Sequence, residues 1–273
     1  MTTARSRSPV VESRGKRNVT ATVPRAITAT IITLNEADNL SACIKSVRAV
    51  CNEIIVVDSG STDDTVQIAR DNGASVIDQP YLGDGPQKQV GAKHASNDWI
   101  LSIDADERLE TDALETIRSI DFDNNDAVYA FKRRNFVGTH WIKAAGFYPN
   151  YVPRLYNRKF AGYSDKKAHA RISGGKLRKL QAHISHYTYR DYAHWINRIN
   201  ELSTRDAWAK HSNGKRSTPS GAAARAIFAF FKKLFLKGGI IQGGDGWLIA
   251  ITSSFHVYMK YMKLSELSDD KDD

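Results

Sequence analysis

Six consecutive residues, Ser102-Ile103-Asp104-Ala105-Asp106-Glu107, set two carboxylates one residue apart where the apolar run Trp99 to Ile103 ends. A chain leaving a strand abandons the pleat, so both side chains can turn toward one point. Oxygen donors at such a point suit a hard divalent cation, Mg²⁺ or Mn²⁺, that keeps waters and also takes phosphate oxygens. Asp58 closes a second apolar run, Glu53 to Val57, and leads into Ser59-Gly60-Ser61-Thr62-Asp63. A carboxylate there can accept the N–H of a uracil-like base, and Gly60 lets a flat ring approach. The competing readings are local: Asp106 and Glu107 could cap a following helix, and Ser61 with Asp64 resembles a capping box opening a helix over Asp63 to Asn72.

The elements that would carry these carboxylates alternate. Ile27 to Thr33, Glu53 to Asp58, Ala74 to Ile77 and Trp99 to Ile103 read as strands. Between them, Glu36 to Val50 places Leu40, Cys43, Ile44 and Val47 on one helical face, and helices are expected at Asp63 to Asn72 and around Gln87 to Ser96. Such alternation predicts an α/β fold with a mostly parallel sheet and helices on both faces. Ligands bind such sheets beyond the carboxyl ends of the strands, where Asp58 and Asp104 fall. A strand is expected at Val128 to Phe131, then a loop-rich aromatic stretch from Arg133 to Ala170. Helices should follow at about Arg190 to Lys210, Gly221 to Lys237 and Trp247 to Lys263. The domain plan is a basic arm at 1–25, one domain over 26–188 divided at 126/127, a helical region over 189–265, and an acidic tail at 266–273.

Composition bounds the class. With 41% hydrophobic and 25% charged residues among 273, the chain is an ordinary globular mixture and not a disordered one. Two cysteines, Cys43 and Cys51, make no disulfide framework and suit a reducing compartment. The net charge of +9 is unevenly spread: residues 27–126 hold 7 basic against 19 acidic residues, and residues 127–273 hold 26 against 10. An acidic half beside a basic one fits a metal-rich site next to a surface for an anionic partner. No nucleic-acid motif organises the lysines, so nucleic acid is not expected as a partner. The first 25 residues contain no apolar run of signal-peptide length, which makes a cytoplasmic protein the expectation.

The segments IITLNEADNL at 31–40, EIIVVDSGSTDDTVQIA at 53–69, GDGPQKQVGAKHASNDWILSIDADE at 83–107 and RRNFVGTHWIKAAGFYPNYVPRLYNR at 133–158 together resemble the inverting family 2 glycosyltransferases of the GT-A fold. More closely, the chain is similar to the bacterial branch that adds glucose or a related hexose to the lipopolysaccharide inner core. The resemblance implies a UDP-sugar donor and metal-assisted single displacement. Carried over residue by residue, it implies that Glu36 and Asp58 lie against the nucleoside, that Asp104 and Asp106 serve ribose, metal and diphosphate, and that Lys88 lines the donor pocket. A surface charge is the competing reading of Lys88.

One departure stands out. Related enzymes carry a His-Glu pair, with Glu as the base, in the stretch that reads here Ser164-Asp165-Lys166-Lys167-Ala168-His169-Ala170. With Ala170 in the glutamate's place, Asp165 or His169 is the candidate base, or a carboxylate from elsewhere in the chain reaches in, and a catalytically silent nucleotide-sugar scaffold stays a rival reading. A polyprenyl-linked glycan or capsule precursor is the rival acceptor. Between Arg133 and Tyr156, Arg133, Arg134, Trp141, Tyr148 and Arg154 are candidate acceptor contacts, because rings stack on sugar faces and arginines grip phosphates or acidic sugars. At least two aromatics of this stretch should be plain core. From Ala207 to Gly244 there are seven basic and no acidic residues, and Ile227, Phe228, Phe230, Phe231, Leu234 and Phe235 lie among Lys232, Lys233 and Lys237. That mixture suits a helix lying on an anionic leaflet, hence a protein peripheral on the inner membrane that meets a glycolipid or oligosaccharide acceptor. An ordinary packing helix is the alternative.

Overall fold

The computed structural model describes residues 26–167 and 170–269, so the basic arm and the candidate base His169 lie outside the described residues. The first half builds β1 (Ile27–Thr33), α1 (Ala37–Val47), β2 (Glu53–Asp58), α2 (Thr65–Asp71), β3 (Ser75–Asp78), α3 (Asp84–His94), β4 (Trp99–Asp104), β5 (Glu107–Leu109) and α4 (Thr111–Ser119). The second half adds β6 (Ala127–Val137), β7 (His140–Ile142), β8 (Asn150–Asn157), β9 (Ala161–Tyr163), β10 (Ile172–Gly174) and β11 (Lys176–Tyr189), then α5 (Tyr192–Ser212), α6 (Pro219–Phe231) and α7 (Gly243–Asp269).

The large sheet runs β3-β2-β1-β4-β8-β6-β11-β5, with β7 paired to β6. Its β3-β2-β1-β4 part is wholly parallel, as expected of short apolar strands covered on both sides. Helices cover both faces. Leu40, Ile44 and Val47 of α1, Ala69 of α2 and Ile117 of α4 pack on Ile27, Ala29 and Ile31 of β1, while Val90 and Ala92 of α3 pack on Ile55, Val57 and Ile100. Cys43 and Cys51 are buried free thiols, and burial pushes both up.

About half of the expected loop-rich stretch from Arg133 to Ala170 is strand. β8 sits centrally between β4 and β6 although it contains Pro153. A proline cannot donate to a ladder, and Pro153 falls where the β6 register shifts between Tyr129 and Ala130, which relieves that demand. The long β11 was also hidden, because its first residues are charged and exposed. The expected capping box does not form: the Ser61 hydroxyl is bonded to Asp58, and α2 begins at Thr65. Nor do Asp106 and Glu107 cap a helix, since β5 follows directly. α7 runs through Asp269, so part of the expected acidic tail is helical.

Candidate active site

Two loops form one rim of the site because their side chains are stitched across 26 to 29 residues of sequence. Asn35, at φ 54°, receives the Thr62 N–H on its Oδ1 at 2.8 Å and donates its own N–H to Ser61 Oγ at 2.8 Å. The N–H of Glu36 reaches Thr65 Oγ1 at 2.8 Å. Asp58 is the post under this rim: its Oδ2 accepts from the N–H groups of Gly60 and Ser61 at 3.0 and 2.8 Å, and its Oδ1 from the Ser61 hydroxyl at 2.5 Å. With the residue 3% exposed, these bonds hold the turn. Glu36 instead faces the cleft, and burial, helped by Asp106, raises its carboxyl above the ordinary value against the pull of Asn39.

Beneath the rim lies an ion cluster built from the end of β4, the middle of β8 and α3. Lys88 Nζ meets Asp104 Oδ1 at 2.6 Å, and the Arg154 guanidinium bridges Asp104 Oδ2 at 2.5 Å and Glu107 Oε1 at 2.6 Å. Arg133 approaches Glu107 at 3.5 Å. Burial alone would raise the Asp104 carboxyl, yet Arg154 and Lys88 hold it well below the usual carboxylate range. Lys88 is therefore an internal cation and not a surface charge. Arg154, expected to meet acceptor, is 6% exposed and spends its fork on two carboxylates. A buried ion pair of this kind persists only when both charges are satisfied.

Asp106 is the partner of a residue that sequence reasoning missed. His186 Nε2 lies 3.1 Å from Asp106 Oδ2, and its Nδ1 lies 2.8 Å from both Asn135 Oδ1 and Thr188 Oγ1. A ring held from behind in this way presents a fixed edge to the cleft. A carboxylate and an imidazole at this spacing are suitable donors for a divalent ion that would draw its remaining ligands from water and phosphate. Elsewhere among the described residues, metal-type ligand atoms of Glu110, Asp112 and His183 lie within 4.8 Å of one another. Those groups are already committed: Glu110 to Arg134 and Ser185 at 2.5 and 2.6 Å, and Asp112 to His183 at 2.5 Å.

The cleft, about 570 Å³, is lined on one side by Asn35, Glu36, Asp104 and Asp106 and on the other by His186, Arg190, His194, Arg198 and Arg205. That volume falls in the range of small-molecule sites. The basic wall is also a miss, because α5 was assigned to a separate helical region; His194, Arg198 and Arg205 recur at offsets of four and seven, which is one helical face. Burial, Arg190 and Arg198 lower the His194 imidazole. α5 also shares a core with the second half, since Trp195 and Ile199 pack with Val137, Ile142 and Ile249.

The 164–167 segment is clamped on α3. The N–H groups of Asp84 and Gly85 donate to the carbonyls of Lys167 and Lys166 at 3.0 and 3.1 Å, and a Cβ on Gly85 would lie 1.8 Å from the Ser164 carbonyl oxygen. Within it Asp165 is exposed and accepts from Gln89 Nε2 at 3.0 Å. Arg134 and Lys143 each lie over the Trp141 ring, at 4.6 and 4.3 Å from its centroid, and Tyr148 meets Trp141 edge-on at 5.2 Å. The Tyr148 hydroxyl is 2.9 Å from His183 Nε2. Tyr156 is plain core, 1% exposed, and Phe147 packs against the α5 core.

Comparison with known proteins finds related chains. The family model "Glycosyl transferase family 2" matches residues 28–186. An uncharacterised glycosyltransferase of Rickettsia prowazekii is 32% identical over 257 residues, covering 89% of this chain and 88% of its own. The lipopolysaccharide core biosynthesis glycosyltransferase LpsC of Rhizobium meliloti is 28% identical over 256 residues, 87% of this chain and 91% of its own. Among solved structures, Staphylococcus aureus TarS matches 85% of this chain and 49% of its own at 15% identity and a TM-score of 0.43.

Proposed function

From the premise that the chain is a glycosyltransferase belonging to family 2, we propose that it moves a hexose from a UDP-sugar to a lipid-linked saccharide of the lipopolysaccharide-core type, with inversion. The carrying observation is the Asp106–His186 pair beside an Asp104 locked by Lys88 and Arg154, with Asp104, Asp106 and His186 lining the same cleft as Arg190, Arg198 and Arg205. Asp106 and His186 would hold Mg²⁺ or Mn²⁺. When bound, that ion draws charge from the departing diphosphate.

The chain's own groups account for the rest. The bond from the anomeric carbon to the phosphate oxygen breaks, and its electron pair leaves with UDP. Arg198, Arg205 and Arg190, which line the cleft, would offset that developing charge. Glu36 and the 58–62 turn would take the nucleoside. The acceptor hydroxyl attacks from the opposite face and gives its proton to Asp165 or His169. Trp141, with Arg134 and Lys143 over its ring, and Tyr148 offer a stacking surface for an acidic or phosphorylated saccharide. The relationship to LpsC supports this acceptor class.

A silent nucleotide-sugar scaffold is the second reading, favoured by Ala170 in the place of the family's glutamate. UDP release with Mn²⁺ and a truncated core acceptor decides between them. Asp106→Asn should lower turnover on the order of 10²-fold, the scale of one lost electrostatic stabiliser. Full activity in that variant removes the metal-holding role, and UDP binding without turnover in wild type establishes the scaffold.

A further inference from the structure

Eleven of the nineteen large apolar side chains that are well exposed among the described residues lie between Ile227 and Tyr258. They form two stripes. On α6 and the π-helical turn Lys232–Leu236 that extends it, Phe228, Phe231 and Phe235 follow helical spacing, and the last two stack at 5.7 Å. On α7, Trp247, Ile251, Phe255 and Tyr258 recur at offsets of four, four and three. Phe230 touches Trp247 at 6.0 Å, joining the stripes into one surface. At the tip between the helices, Leu236 is 75% and Ile241 86% exposed. Apolar surface of this extent marks a binding face, because nothing else offsets leaving it in water.

Charge identifies the occupant. Lys232 and Lys237 are exposed beside the tip, within the 207–244 stretch that has seven basic and no acidic residues. Aromatic and aliphatic side chains rimmed by lysines match an anionic leaflet: the rings enter the acyl boundary and the ammonium groups meet lipid phosphate. No described helix is long and apolar enough to cross a membrane, so the contact is interfacial.

The tip is bolted to the loop that carries Trp141 and Tyr148. Gln242 Oε1 accepts the Ala145 N–H at 2.6 Å, Lys233 Nζ donates to the Ala145 carbonyl at 3.2 Å, and His140 meets Asp245 at 2.8 Å. Behind these bonds, Ile142, Ala144 and Ala145 share a core with Ile249 of α7. We propose that the α6–α7 tip docks on an anionic membrane and, through Ala145, fixes the 140–149 loop at the lipid surface where a lipid-linked saccharide is presented. This rests on the lipid-linked acceptor proposed above for its consequence, but not for the docking itself.

The full chain, sedimented with phosphatidylcholine vesicles with and without phosphatidylglycerol, tests the proposal. Wild type should bind the anionic vesicles at least tenfold more strongly, and salt should weaken that binding. L236E/I241E and, separately, K232E/K237E should each lower it at least tenfold while circular dichroism and UDP affinity stay unchanged. Lys233 is left in place because it holds Ala145. Transfer to a lipid-linked acceptor in anionic vesicles should fall at least tenfold in L236E/I241E, with transfer to the delipidated, water-soluble saccharide unaffected. Vesicle binding that ignores both variants overturns the proposal, as does a dimer in sedimentation velocity that L236E/I241E splits while vesicles are not bound. Should neither acceptor be turned over, the enzymatic reading fails and vesicle partition alone decides the docking.

Discussion

The cleft and the helical tip each place residues against their ordinary preference, in opposite directions. In the cleft, charges go inside: Glu107 is fully buried, and Lys88, Arg154 and Asp104 neutralise one another over distances of 2.5–2.6 Å. At the tip, hydrophobes stay outside, with Leu236 and Ile241 among the most exposed apolar residues described. An ion leaves water only when fixed counter-charges replace its hydration. An apolar chain stays in water only when another surface is available to cover it. The first arrangement fits the reacting centre proposed above, and the second the face proposed to meet a membrane.

Breaking the internal balance should have the largest effect. Arg154→Met leaves the buried Glu107 with only the more distant Arg133 and Asp104 with only Lys88, and should cost about 3–5 kcal/mol of stability in denaturant unfolding. A loss below about 1 kcal/mol would show that the cluster is not balanced as described. Asp106→Asn ranks next: it removes on the order of 10²-fold in turnover, with the melting temperature kept, because Asp106 is only hydrogen-bonded to His186. Removing the basic wall with Arg198→Ala plus Arg205→Ala should weaken UDP binding roughly tenfold, about 1.4 kcal/mol in a titration, and unaltered affinity would take α5 out of the donor site.

Acid titration sharpens the contrast further. The Asp104 carboxyl lies below its ordinary 3.8 when folded, so its contribution is complete above that pH and is lost as pH falls through the folded value. Lys88→Met should therefore be less stable than wild type near pH 6, and the gap should narrow only as pH falls through the folded Asp104 value, well below the ordinary carboxylate range. A gap that widens in acid would assign the stabilisation elsewhere. The smallest effect is expected at the tip, where Leu236→Ser with Ile241→Ser should change unfolding free energy by no more than about 0.5 kcal/mol, as exposed substitutions do.

Much of this site was legible because local patterns encode it. Apolar runs ending in Asp58 and Asp104 gave both the strands and the crevice, and the parallel register then fixed Thr33 beside Asp58 and Ile32 beside Asp104. What stayed hidden depends on residues distant in sequence. His186 reads as one polar residue in an irregular alternation until β11 brings it to Asp106, 80 positions away. Arg154 reads as an acceptor contact until β8 inserts between β4 and β6 and turns it onto Asp104.

The sequence by itself determined the donor half: which strands form, where they end, and that carboxylates gather there. Those features follow from hydrophobic period and chain geometry over a few residues. Only the tertiary structure decided which cation answers which carboxylate, that α5 closes the cleft, and that the apolar tip is tied to the Trp141 loop. Each of those depends on strand order and helix docking, which bring together groups that no local pattern relates.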